Sequence, residues 1–141
     1  MGVINLAGPV SINLGEVKDE LVPVGWHSVT IERVDAGMTK DEKYPKFFVM
    51  SRISDDADPD NNRTIVWNLT FNFTNQSGNF VKRCFAAIGM PMDLNYPSYT
   101  AMAEDMIGRE CDAYVKHGEY QGEAKTDVSK WRAPSFDDLE L

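Results

Sequence analysis

The chain is short of cysteine, histidine, positive charge and long apolar runs, and each shortage closes off a class of protein. Two cysteines, Cys84 and Cys111, are too few for a disulfide scaffold. Neither has a Cys or His partner at zinc-ligand spacing, so both read as buried or incidental thiols. No stretch approaches the ~20 apolar residues that a helix needs to cross a bilayer. Met1 to Leu6 has neither the positive start nor the long apolar run of a secretory signal, so the expectation is a cytoplasmic protein without membrane contact. The two histidines, His27 and His117, fall in separate predicted strands, and neither stands beside a nucleophile. Gly-rich phosphate loops and nucleophile elbows are missing too. The expectation is a protein that is not an enzyme and takes no metal or other cofactor.

Positive charge is the scarcest resource. Fourteen Lys and Arg against 22 Asp and Glu give a net charge of −8, which excludes a protein that coats nucleic acid by bulk charge. The acidity is uneven, however. Asp55, Asp56, Asp58 and Asp60 share one predicted loop, and Asp137, Asp138 and Glu140 lie at the end of the chain. Without those seven carboxylates the balance is about −1, which a local basic groove can outweigh. Laid over a calcium-binding EF-hand loop, the first cluster puts Asn61 where glycine is required and Trp67 where the bidentate glutamate belongs. It therefore reads as a hydrated loop.

What is present is β pattern. With 43% apolar residues, including 7 Phe, 5 Tyr and 3 Trp, one modest core can be filled. Residues 1–22 carry several breakers and read as an irregular arm that adds at most a short edge strand. Gly25 to Val34 is a first strand, with Val29 and Ile31 on one face and Ser28, Thr30 and Glu32 on the other. Asp35 to Tyr44 reads as a charged connector. Lys46 to Ser54 is a second strand, with Phe47, Val49 and Ile53 inward and Phe48, Met50 and Arg52 outward. Turn-rich Asp55 to Asn62 leads to Arg63 to Phe73, where Ile65, Trp67, Leu69, Phe71 and Phe73 alternate with Thr64, Val66, Asn68, Thr70 and Asn72. That phase makes Trp67 and Phe71 structural, whereas Trp26 has no clear facing.

After Gly78 the spacing turns helical through Phe80 or Val81, Cys84, Phe85 and Ile88, and Gly89 with Pro91 ends it. A second short helix starts behind Ser98 or Thr100, uses Met102, Met106 and Ile107, and closes at Gly108. Glu110 to Tyr120 and Glu123 to Trp131 form a hairpin across Gln121-Gly122. Three strands, a helical insert and two strands make the chain mainly β. The order is that of a five-stranded OB-fold (oligonucleotide/oligosaccharide-binding) Greek-key barrel with its helical insert between strands 3 and 4. The expected organisation is an arm over 1–22, the OB domain over 23–134 and an acidic flexible tail over 135–141.

Three segments carry a resemblance: Val22 to Glu32 (VPVGWHSVTIE), Phe80 to Gly89 (FVKRCFAAIG) and Ile107 to Trp131 (IGRECDAYVKHGEYQGEAKTDVSKW). They resemble a phage family first described as a domain of unknown function, whose members look like OB-fold single-stranded-DNA-binding proteins encoded beside replication and recombination genes. The resemblance spans about Leu21 to Pro134. It implies sequence-unselective binding of single-stranded DNA in phage replication or recombination. The longer charged connector and the Asp55 to Asp60 cluster depart from the family pattern.

Unselective binding needs cations along the phosphates and flat side chains for the bases, with stacking worth roughly 1–3 kcal/mol each. The outward positions expected to supply both are Lys46, Phe48 and Arg52 on the second strand, and Tyr114 and Lys116 on the fourth. Tyr120 and Lys125 lie near the hairpin tip together with His117, and Lys130 and Trp131 lie beyond it. Lys40, Lys43 and Tyr44 come from the connector. The tail places Phe136, Leu139 and Leu141 among Asp137, Asp138 and Glu140, similar to the acidic tails by which bacterial single-stranded-DNA-binding proteins recruit replication and repair enzymes. Exposed strand edges suit a homodimer. The competing reading is an OB-like protein-interaction or virion accessory module that binds no nucleic acid.

Overall fold

The computed structural model describes residues 6–11, 21–74 and 76–134. Their elements are β1 (Gly25–Met38), β2 (Pro45–Ile53), β3 (Thr64–Thr70), α1 (Ser77–Ala87), α2 (Tyr99–Met106), β4 (Glu110–Tyr120) and β5 (Glu123–Arg132). The strands form one antiparallel sheet in the order β3-β2-β1-β4-β5, with both helices inserted between β3 and β4. No hydrogen-bond ladder joins β3 to β5, so the sheet is not closed as the expected barrel would be. Its two edge strands nevertheless meet through side chains. The rings of Trp67 on β3 and Trp131 on β5 lie 5.8 Å apart, and α1 packs against both strands.

Alternation decides which residues fill the interior. Phe47, Val49 and Ile53 of β2 and Ile65 and Leu69 of β3 are at most 1% exposed, each burial contributing about 1.5–3 kcal/mol. Val29 and Ile31 of β1 join them, with Val81, Cys84 and Phe85 of α1 above. Burial pushes the Cys84 thiol well up, and Cys111 adds to the shift. The Cys111 thiol is likewise raised by burial, to about 12. Both cysteines are thus inert interior groups.

Two bulges explain where strict alternation misleads. In β1 the pairing slips between Ile31 and Arg33, leaving Glu32 as the extra residue. The strand therefore runs on through Asp35, Ala36, Gly37 and Met38, which pair with Phe48 to Pro45, and the connector shrinks to a turn at 39–44. In β5, Tyr114 faces Lys130 while Val115 faces Val128, so Ser129 is the extra residue. Val128 and Trp131, three apart, consequently both point inward and are buried.

Other boundaries shift for local reasons. β3 ends at Thr70, and Phe73, expected inside, is 68% exposed. Asn72 stops the strand by accepting from the Thr74 N–H (3.0 Å) and hydroxyl (2.6 Å). Ser98 caps α2 by accepting from Ala101 N at 3.0 Å, and Ile107 faces solvent. Gln121 and Gly122 both take left-handed backbone, as the two-residue β4–β5 turn requires. Among the described residues the arm adds no strand; Val22 instead enters the core.

Candidate nucleic-acid interface

Register assembles the most concentrated group of rings and cations. Trp26 pairs with Tyr114 across β1 and β4, and Tyr114 pairs with Lys130 across β4 and β5. Directly paired residues share a face, so all three project from the side opposite the core. The Trp26 and Tyr114 rings meet edge-on, 5.3 Å between centroids. Lys130 Nζ lies 4.7 Å from the Tyr114 centroid and 5.5 Å from that of Trp26. Arg132 places its guanidinium carbon 4.1 Å from the Trp26 centroid.

Asp112 fixes this geometry from beneath. It is 1% exposed, and a buried carboxylate is costly unless paired and hydrogen-bonded. Oδ1 accepts from Ser28 Oγ at 2.7 Å and Oδ2 from Arg132 Nε at 3.0 Å. The guanidinium is thereby held over the indole by its Nε bond to the carboxylate. Lys130 makes no ion pair among the described residues.

The group continues as a stripe toward the hairpin tip. Tyr114, Lys116, Gly118 and Tyr120 alternate on the outer face of β4, opposite Lys130, Asp127, Lys125 and Glu123 of β5. Lys125 Nζ lies 5.4 Å from the Tyr120 ring centroid. Tyr120 lies six residue steps beyond Tyr114, about 20 Å of track. Gly118 leaves a bare rung between them, and a Cβ there would come within 3.4 Å of Asp127 Oδ2.

The remaining candidates fall elsewhere. Lys46, Phe48 and Arg52 line the outer face of β2, with Phe48 half-buried. Arg52 is already committed, donating from Nε to Glu32 at 2.8 Å and from Nη1 to the Asn62 carbonyl at 2.7 Å. That hydrogen bond, reinforced by the guanidinium charge, holds the Glu32 carboxyl below its usual range. Lys40, Lys43 and Tyr44 sit in the β1–β2 turn, where Asp41 accepts from the Thr39 hydroxyl and from Lys43 N. Phe136, Asp137, Asp138, Leu139, Glu140 and Leu141 lie outside the described residues.

One residue is corrected outright. Trp131, expected among the base platforms, is 9% exposed and packs against Trp67 and Phe80, because the Ser129 bulge inverts its facing. His117 also leaves the ligand surface: its Nε2 meets the Val22 carbonyl at 2.7 Å and ties down the arm. Two residues were overlooked, although Trp26 shares the outward parity of Ser28 and Thr30, and Arg132 that of Lys130. Parity alone places Trp26; the facing of Arg132 depends on the Ser129 bulge.

The acidic loop is more structured than a merely hydrated one. Asp58 Oδ2 lies 2.6 Å from His27 Nδ1, while His27 Nε2 lies 2.8 Å from the Pro23 carbonyl. Asp58 Oδ1 accepts from Asp60 N, and Asp60 pairs with Arg63 at 2.8 Å. Among the described residues no cluster of His, Cys, Asp and Glu could hold a metal ion, and no helix is long and apolar enough to cross a membrane.

The sequence matches no protein-family model and no curated protein.

Proposed function

We propose that the chain is a single-stranded-DNA-binding protein of the OB type, unselective for sequence, acting in phage DNA replication or recombination without catalysing a reaction. The observation that carries this reading is the outer stripe of β1, β4 and β5, where Trp26, Tyr114 and Tyr120 lie among Lys130, Arg132, Lys116 and Lys125, with Asp127 and Glu123 the acids beside them. Rings offer stacking surfaces to any base, and cations beside them meet the phosphates. The strand order supports an OB assignment, since β1 pairs with both β2 and β4, and the edge strands β3 and β5 approach each other. The phage setting rests on the sequence resemblance. A net charge of −8 is compatible with the role because the acidic side chains of the Asp55–Asp60 loop are partly turned to His27 and Arg63.

Fluorescence anisotropy with labelled oligonucleotides tests the reading. Oligo-dT should bind more tightly than duplex of equal length, and affinity should fall as salt rises. No binding at low salt with tens of micromolar protein would overturn it. A second reading, a protein-interaction module, is favoured by exposed Phe73 and Met92 beside α1; its binding to a partner would barely respond to salt.

A further inference from the structure

An apolar concavity lies away from the ring–cation stripe. Phe73, Val81, Lys82, Phe85, Met92 and Leu94 line a hollow of about 500 Å³ beside α1. Phe73 and Leu94 also line a second hollow of about 480 Å³ that runs on to Tyr99 and Met102. Together they form one apolar groove, in which Phe73 is 68% and Met92 58% exposed. Open apolar surface of this kind marks a docking site. Lys82 stands at the groove's mouth and Arg83 follows on the exposed side of α1, whereas the opposite wall carries acids, Asp93 between Met92 and Leu94 and Asp105 bonded to Tyr96. Neither cation makes an ion pair among the described residues.

The chain itself carries a segment of matching chemistry, and it starts nearby. Ala133 and Pro134 lie against Ala86 to Gly89, at the C-terminal end of α1. From there Ser135-Phe-Asp-Asp-Leu-Glu-Leu141 follows, alternating apolar and acidic character. Passing halfway round a helix about 10 Å across while moving one turn along it is a path of about 17 Å. Beyond Pro134, Leu139 is five extended residues away, about 17 Å, and Leu141 seven, about 23 Å. Leu139 and Leu141 can therefore arrive at the groove while Asp137 and Asp138 pass Arg83 and Lys82.

We propose that the groove between α1 and the α1–α2 connection is the docking site of the chain's own C-terminal segment, which seats Leu139 and Leu141 against Phe73, Phe85 and Met92. The carboxylates select the basic side of α1, and the leucines cover its apolar hollow. The segment is then an intramolecular ligand that a partner protein must displace. This is independent of DNA binding, because the groove and the stripe share no residue.

Disulfide trapping in the full chain tests the proposal. Cys84 and Cys111 are too deeply buried to compete. Met92→Cys with Leu139→Cys should form an intrachain disulfide at least about tenfold faster than Glu110→Cys with Leu139→Cys, because a docked segment raises the effective concentration at one site only. Glu110 is a strict control, since it lies beside Pro134 at the root of the segment. Adding Lys82→Glu and Arg83→Glu should erase the advantage. Equal rates for the two pairs would overturn the proposal, as would a predominance of disulfide-linked dimers in dilute protein, which would assign the groove to a second copy.

Discussion

Two patches on the outer side of one sheet contain the same ingredients, an arginine, an acid and a ring, and arrange them to opposite effect. Over β1–β4–β5 the acid, Asp112, is buried, and it holds Arg132 on the Trp26 indole through one nitrogen. Over β1–β2 the acid, Glu32, is exposed, and Arg52 is spent on it and on the Asn62 carbonyl. Arg33 is likewise paired with Asp35 at 3.0 Å in open solvent. Each acid offsets its cation's charge, but Arg52 also spends Nη1 on the Asn62 carbonyl, while Arg132 lies on the Trp26 ring. The difference teaches that the way each guanidinium is engaged, rather than the count of cations, decides which patch can meet a polyanion.

The largest effect separates the two tryptophans on either side of the sheet. Trp131→Ala removes a buried ring from the seam between β3 and β5 and should cost about 3–5 kcal/mol of stability, read as a lower midpoint in urea unfolding. Trp26→Ala removes a half-buried ring and should cost much less while weakening DNA binding. Equal stability losses would mean that Trp26 is also a structural residue.

Next comes the contrast between the patches themselves. Tyr114→Ala should weaken oligo-dT binding by about 1–3 kcal/mol, or roughly 5- to 150-fold, with urea unfolding little changed. Phe48→Ala should weaken it less, since its neighbouring arginine is engaged. If Phe48→Ala proved the more damaging, the ligand track would belong to β2–β3, the usual OB face.

Charge gives a finer version. Arg132→Ala should lower affinity and reduce the slope of log K against log salt by about one, the loss of one phosphate contact. Arg52→Ala should leave that slope unchanged within error. An equal fall for both would erase the distinction drawn between the two guanidiniums.

Much of this arrangement was legible in the sequence, and the losses have specific causes. The five strands, the two helices and their order follow from alternation in Ile65 to Phe71 and helical spacing through Val81 to Ile88. The same rule places Tyr114 on the outer face, whereas Lys130 owes its outward facing to the Ser129 bulge. The failures sit at the two bulges, because one inserted residue reverses every later facing: Glu32 hid the continuation of β1, and Ser129 sent Trp131 into the core. The partner of a cation is equally invisible, since Asp112 and Arg132 are twenty residues apart and Glu32 and Arg52 likewise. Only register brings them together.

The smallest effect concerns a half-buried acid, Asp58, and its pH dependence. Burial works against its charge, but the Asp60 N–H and the His27 ring outweigh that cost and hold the carboxyl below its ordinary value. A group whose folded pKa is depressed contributes stability above its unfolded pKa and loses it as pH falls through the folded one. The clasp joining the Asp55–Asp60 loop to His27 and, through its other nitrogen, to Pro23 should therefore weaken below about pH 4. Asp58→Asn should flatten the decline of urea midpoint between neutral pH and pH 3, with oligo-dT affinity at neutral pH unchanged, because the loop lies apart from the stripe. A midpoint that falls with pH as steeply in Asp58→Asn as in the parent chain would show that this carboxylate, unlike Asp112, holds nothing in place.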